Sequence, residues 1–266
     1  MQLWKMTLTY DGTPFHGWQI QPGLPTVQGT LADALKRITG ESVLPQGSGR
    51  TDTGVHALAQ VATFALAAPI PVVNLHLALN RILPASIRVL DLDTAPDGFH
   101  ARYSATRKTY EYKVLPGYPV PAGQKSVPRI CSPMLAPYVW ACRWPLELAV
   151  MQQAAVHILG THDFTSFAAV DPDLSQRESG ESPAEAANVR TIYHSDWHQT
   201  DDLLLYRVTG SGFLHHMVRN LVGTFVDAGA GRIPPSRVLE ILATRNRSAA
   251  GATAPARGLF LAEVEY

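Results

Sequence analysis

Residues 49–57 read GRTDTGVHA, one arginine, one aspartate and one histidine set among small residues. Asp and Gly are both turn formers, the first because its carboxylate bonds to nearby backbone and the second because it accepts positive φ, so T-D-T-G reads at its simplest as a bend. The neighbours add a second possibility. Arg50 lies two residues before Asp52, and Gly49 and Gly54 flank the pair, which describes an exposed, tight loop carrying opposite charges. A guanidinium close by keeps a carboxylate ionised even where water is excluded, and an ionised, partly desolvated aspartate can act as a nucleophile.

D-T-G is also the signature of the aspartic peptidases, in which two carboxylates share a proton. No second D-T-G or D-S-G occurs in the 266 residues, and Arg50 stands where those enzymes carry an apolar strand. The peptidase reading is therefore set aside.

Outward from this stretch the chain alternates strands and helices. Trp4, Met6, Leu8 and Tyr10 alternate with Lys5, Thr7 and Thr9, the period of a half-buried strand and not the unbroken apolar run of a signal peptide. DGTPFHGWQIQPG follows as a turn-rich connection. Val27, Leu31, Ala34, Leu35 and Ile38 then recur at helical spacing before Gly40. Downstream of Asp52, residues 60–66 read as a strand, NLHLALNRILP as a helix stopped by Pro84, and IRVLDLD and TYEYKVL as strands, the last with Tyr110, Tyr112 and Val114 on one face. Seven prolines punctuate residues 116–145, which reads as a crossing between an N-terminal half, 1–115, and a C-terminal half, 146–266. In the second half a helix is expected from about Leu146 to Leu159, then an acidic, serine-rich surface loop, VDPDLSQRESGESPAEAAN. LLLYRV reads as a strand, GSG as a bend, LHHMVRNLVGTFVDAG and PSRVLEILATR as helices, and GLFLAEVEY as a closing strand. The fold class is α+β, with more strands than a helical bundle tolerates.

Composition narrows the function classes. Hydrophobic residues make up 46% of the chain, ample for a core, and the formal net charge is zero. Seventeen of the 22 basic residues are arginine, which suits bidentate contacts to phosphate or carboxylate. The two cysteines, Cys131 and Cys142, form no C-x-x-C pair and no H-E-x-x-H occurs, so neither a disulfide framework nor a zinc site is supported. With no run of about 18 apolar residues, a cytoplasmic location is expected.

GRTDTGVHA resembles the catalytic signature of the tRNA pseudouridine synthase A family, and the resemblance runs through essentially the whole chain. Tyr10, Asp11, Gly12, Phe15, Gly17, Trp18 and Gln19 are similar to the family's first motif, which Val27, Gln28 and Leu31 continue. Asn80, Leu83, Pro84 and Ile87 match the next. Phe99, His100, Ala101 and Arg102 resemble its F-H/N-A-R element, followed at the family's spacing by Tyr110 and Tyr112. Asp163 to Phe167 match F-x-S-F, Phe213 to Gly223 the helix ending M-V-R-N-x-x-G, and Ala254 to Tyr266 the closing A-P-x-x-G-L-x-L-x-x-V-x-Y.

This resemblance implies the pseudouridine synthase fold, two similar ferredoxin- or RRM-like sheet-and-helix halves in a continuous, mostly antiparallel sheet with a central cleft. It implies isomerisation of uridine to pseudouridine at positions 38, 39 and 40 of the tRNA anticodon arm, with no cofactor and no metal, by a homodimer. Asp52 matches the catalytic carboxylate, which attacks the sugar C1′ or the uracil C6, or deprotonates the sugar C2′. Tyr110 matches the active-site tyrosine that stacks on the target base; Tyr112, on the same face, has no such match and belongs to the core. Arg219 matches the arginine that pairs with the aspartate, and at 100° per residue it falls about 120° from the centre of the stripe Leu214, Met217, Val218, Leu221, Val222 and Phe225. His215 shares that margin. His56, His100 and His216 are expected to be structural or RNA-facing. Arg50, Arg102 and Arg190, in or beside the matched elements, are the candidates for phosphate and base contacts. In one departure, Asp171, Asp173, Glu178, Glu181 and Glu185 face only Arg177 in the loop from Asp171 to Asn188, where relatives tend to carry basic residues. A catalytically silent RNA-binding module would keep the arginines and Tyr110 but has no use for Asp52 together with Arg50 and Arg219.

Overall fold

In a computed structural model that describes residues 1–119, 121, 126–169 and 188–266, the chain divides into two compact units. The first comprises residues 1–108 and 260–266, the second residues 109–259. The acidic stretch expected as a surface loop, residues 170–187, lies outside the described residues.

The first unit grows from its opening strand, β1 (Gln2–Tyr10), whose alternation buries Trp4, Met6, Leu8 and Tyr10 to 3% exposure or less. It lies between β3 (His56–Leu66) and β4 (Ile87–Thr94), antiparallel to both, and the short β2 (Gln46–Gly47) also pairs with β3. The register of β1 against β3 slips between Leu8, opposite Gln60, and Tyr10, opposite Ala57. Such a bulge bends a strand and re-aims the chain leaving it, here immediately after the Asp52 loop. β10 (Leu259–Glu265) runs parallel to β3, Phe260 opposite His56 and Leu261 opposite Ala57. Helix α1 (Val27–Thr39) begins where the Thr26 hydroxyl accepts the Gly29 N–H at 3.2 Å, and it stops at Gly40, whose φ of 77° suits a residue without Cβ. Helix α2 (Val72–Ile82) packs on β4 and ends just before the Leu83-Pro84 pair, as the steric clash of a residue preceding proline requires.

In the second unit β5 (Arg107–Leu115, within this unit from Thr109) neighbours β9 (Leu203–Gly210), which pairs antiparallel with β8 (Val189–Thr200), itself antiparallel to β7 (Gly160–Asp163). A two-residue strand, β6 (Trp140–Ala141), runs parallel to β5. The helices are α3 (Leu148–Val156), α4 (Met217–Gly229) and α5 (Arg237–Thr244). An aromatic cluster fills the core, Trp197 stacked on Tyr206 with centroids 4.9 Å apart and Phe225 edge-on to Tyr206 at 5.4 Å. Both units are mixed α+β with mostly antiparallel sheets, in agreement with the class expected from the alternating pattern. Among the described residues no helix is long and apolar enough to cross a membrane.

The short strands β2, β6 and β7 were not expected, and two longer elements also differ from the expectation. β8 is not legible as a strand because a register shift between Ile192 and His194 breaks its period: Ile192, Ser195 and Trp197 are buried, and the residues between them face outward. Helix α4 starts at Met217 and not at Leu214, because His216 sits at φ 58° in the left-handed region and the Met217 N–H turns back to the Leu214 carbonyl.

Helix α4 also meets the backbone of residues 251–254 at van der Waals limits. A Cβ on Gly223 would stand 1.7 Å from the Ala252 carbonyl oxygen. Gly223→Ala is therefore expected to cost at least about 3 kcal/mol and to lower the midpoint of thermal unfolding by about 6–12 °C, as differential scanning calorimetry would register.

Candidate active site

Asp52 opens a β-turn in which the Val55 N–H donates to the Asp52 carbonyl at 3.1 Å and Gly54, third in the turn, takes φ 76°. A type II turn requires that left-handed conformation at its third position, which explains the glycine. The Asp52 side chain is half-buried and Arg50 is exposed.

The loop is held by the turn-rich segment that follows β1. The Trp18 N–H donates to the Thr51 carbonyl at 3.0 Å and the Gly54 N–H to the Phe15 carbonyl at 3.3 Å. At two points backbone lies against backbone with no room for a side chain. A Cβ on Gly12 would stand 2.0 Å from the Val55 carbonyl oxygen, and one on Gly17, at φ 85°, would stand 2.6 Å from the Thr51 carbonyl oxygen and 3.2 Å from the Asp52 carbonyl carbon.

Below the loop lies a buried polar network. The Tyr10 and Thr51 hydroxyls share a hydrogen bond of 2.7 Å. The Ser48 hydroxyl donates to Gln60 Oε1 at 2.6 Å, Gln60 Nε2 donates to the Gly49 carbonyl at 2.8 Å, and the Lys108 ammonium donates to the Ser48 carbonyl. Ser48 and Gln60 are fully buried. Burial pushes the Tyr10 phenol far above its usual range, against the smaller opposing pull of its bonds to Thr51 and Gln60, so it serves as a neutral hydroxyl. His56, at the end of the loop, is buried and stacks on Phe260 with ring centroids 4.7 Å apart. Its Nδ1 lies 3.0 Å from the Gly12 nitrogen. The Asp11 carboxylate lies 3.2 Å from the same Nδ1.

The remaining candidates fall on other elements. Arg102 is exposed in the segment after β4, its guanidinium 5.6 Å from the Tyr103 ring centroid. Tyr110, on β5, is 8% exposed and meets Phe213 edge-on at 5.0 Å. Arg190, on β8, donates to the Val189 carbonyl at 2.6 Å and passes beside Gly212, the neighbour of Phe213, so Tyr110 and Arg190 gather around one bend. Tyr112 is fully buried and its hydroxyl donates to the Pro255 carbonyl at 2.7 Å, as suits a core residue.

Arg219 is one of the few residues of α4 that are not buried, Asp227 being another. Its Nε–H donates to the Ala254 carbonyl at 2.8 Å and its own carbonyl accepts the Ala254 N–H at 3.1 Å. Beside it, the fully buried Asn220 donates to the Phe167 carbonyl at 2.7 Å and accepts from Arg247 at 2.9 Å and from Thr253 at 2.7 Å. This network ties together the F-x-S-F, M-V-R-N and A-P elements. Sequence reasoning left out the loop-holding roles of Tyr10, Gln60 and His56 and the pivot at Asn220. The only signal for them was polar side chains at buried positions of an apolar pattern.

Asp52 thus sits half-buried on a turn gripped through backbone, and the Arg219 side chain is steadied at the margin of a buried helix. A family model described as tRNA pseudouridine synthase matches residues 6–104 and 154–266. The chain belongs to that family. Relatives called tRNA pseudouridine synthase A include those of Solibacter usitatus, 47% identical over 262 residues, Moorella thermoacetica, 43% over 265 residues, and Bacillus subtilis, 41% over 264 residues. Each alignment covers 98% of this chain and 98% of the relative.

Because the Gly17 approach sets the height of the Asp52 turn, Gly17→Ala is expected to displace the carboxylate by a fraction of an ångström to an ångström. Misplacement on that scale lowers kcat on the order of 100-fold. Steady-state kinetics would measure the loss, with far-ultraviolet circular dichroism checking that the fold persists.

Proposed function

We propose that this protein converts uridine to pseudouridine in tRNA, at positions 38, 39 and 40 of the anticodon arm, with Asp52 as the essential carboxylate. The observation that carries the reading is the Asp52 turn, clamped by the glycines of the same motif that the family resemblance runs through. The reaction breaks the bond between sugar C1′ and uracil N1, turns the uracil while it is held, and joins C1′ to C5. The C5 proton is released and N1 gains one. Attack at C1′, attack at C6 and deprotonation of C2′ all demand a carboxylate held still against the nucleoside, and the pinned turn supports that reading.

Tyr110 supports the uracil by stacking, and Arg219 is the arginine that the family resemblance assigns to the aspartate. The target uridine is stacked or paired in free RNA, so its extraction costs a few kcal/mol that phosphate and stacking contacts offset. Arg50, Arg102 and Arg190 supply the phosphate contacts. A cytoplasmic homodimer is part of this proposal, on the family resemblance alone. The reading differs from a silent RNA-binding module in requiring turnover.

Asp52→Asn keeps the size of the side chain and removes its charge. It is expected to lower tritium release from tRNA labelled at uracil C5 by several orders of magnitude, with tRNA affinity within a few-fold of the parent; an active variant would overturn the assignment. Binding is expected to weaken with salt despite the zero net charge, and Arg102→Ala is expected to lower the slope of log Kd against log salt by roughly 0.7–0.9, measured by filter binding across a salt series.

A further inference from the structure

Tyr103 is 71% exposed. A lone exposed ring on a loose loop needs no explanation. This one stands on a turn braced from every side. The Arg102 and Tyr103 N–H groups both donate to His100 Nδ1, at 3.0 and 3.4 Å. The Ser104 N–H donates to the His100 carbonyl at 2.9 Å, and the His100 N–H to the Ser104 hydroxyl at 3.0 Å. Between them Ala101 is fully buried, its N–H directed to the Thr63 hydroxyl at 3.4 Å and its carbonyl accepting the Tyr266 hydroxyl at 2.9 Å. Burial, and after it the Arg102 charge, holds His100 below its ordinary pKa, which keeps Nδ1 available as the acceptor of the brace.

We propose that the His100–Ser104 turn is a stacking platform for an unpaired nucleobase of the RNA substrate, with the exposed Tyr103 ring as its aromatic surface and the Arg102 guanidinium, over that ring, as its cation. The proposal rests on the reading that this chain acts on RNA. The Tyr103 ring lies 4.5 Å from the His100 ring, centroid to centroid, and 5.6 Å from the guanidinium carbon of Arg102. An aromatic ring with a planar cation over it fits a base and its phosphate, and it accepts any base because every base has a π-face. The turn is ordered in advance, so little further ordering is charged against the stacking gain. Lys5 lies over the Phe99 and Tyr266 rings at 5.2 and 4.6 Å and Glu265 is engaged by Arg107 at 4.0 Å, while the exposed Asp93 stands opposite Lys5 and Asp97 is exposed nearby in sequence. Ala101 meets β3 at Thr63, seven residues beyond His56, which at about 3.3 Å per residue sets the platform on the order of 20 Å along the strand from the Asp52 loop. A contact so far from the reacting uridine contributes to holding RNA and not to the bond-breaking step.

The test compares the full-length protein with Tyr103→Ala and Tyr103→Phe on an unmodified tRNA transcript. Tyr103→Ala is expected to raise Kd and KM by about five- to 150-fold, with the loss in binding and not in kcat, and with the salt slope unchanged. Tyr103→Phe, which keeps the ring, is expected to regain most of the affinity. Three results would overturn the platform: Tyr103→Ala binding within twofold of the parent, a loss confined to kcat, or an altered sedimentation coefficient with RNA affinity intact, which would mark a contact between copies of this chain. Tritium release by the parent protein separates the two readings, since a parent that binds tRNA but releases no tritium removes the proposed function and leaves the Kd comparison to judge the platform.

Discussion

In the first unit backbone lies against backbone where Gly12 and Gly17 meet residues 51–55 with no space for a Cβ. Everything about Asp52 follows from that approach. A loop tip held only by side chains would wander on the nanosecond scale, whereas one held through the Thr51, Asp52 and Phe15 carbonyls moves only with the strand that carries it. The polar groups beneath must then be satisfied without water. Tyr10, Thr51, Gln60 and Ser48 meet that demand with one another, and a satisfied network in a low-dielectric setting is stiff for the same reason that a broken one is costly.

The second unit reaches a comparable rigidity by covering a helix. Helix α4 is buried on nearly all sides because residues 251–254 lie across it, at Gly223 and Gly251 with backbone in contact. Asn220 is the pivot, its amide shared by Phe167, Arg247 and Thr253, segments far apart in sequence. Arg219 leaves the helix at its narrow uncovered margin, and the bond from Nε to Ala254 sets the direction of the guanidinium. An arginine so tethered loses less side-chain entropy when it acts than one on a solvated face.

Charge is distributed in the same spirit. The chain is neutral overall, so no long-range field draws a polyanion to it, and the RNA contacts proposed above rest on arginines placed locally and on an exposed ring. Arg50 on the clamped loop, Arg102 on the braced turn and Arg190 beside Gly212 all stand on backbone that is itself held.

Local periodicity was enough for the α+β class, for β1 and for α1 with its glycine stop, because alternation, helical spacing and a left-handed glycine act within a few residues. The GRTDTGVHA stretch and its companion motifs were likewise enough to suggest the family. What the chain alone does not display is why those motifs contain the residues they do. The bulge in β3, the broken period of β8 and the parallel pairing of β10 with β3 are set by partner strands elsewhere in the chain. Gly12, His56, Gln60 and Asn220 look like turn or misplaced polar residues until the fold brings up the carbonyl, amide or strand that each one meets. Short-range preferences are additive along a chain and can be read from it, whereas close approach and buried hydrogen bonding belong to pairs and exist only once the backbone has closed on itself.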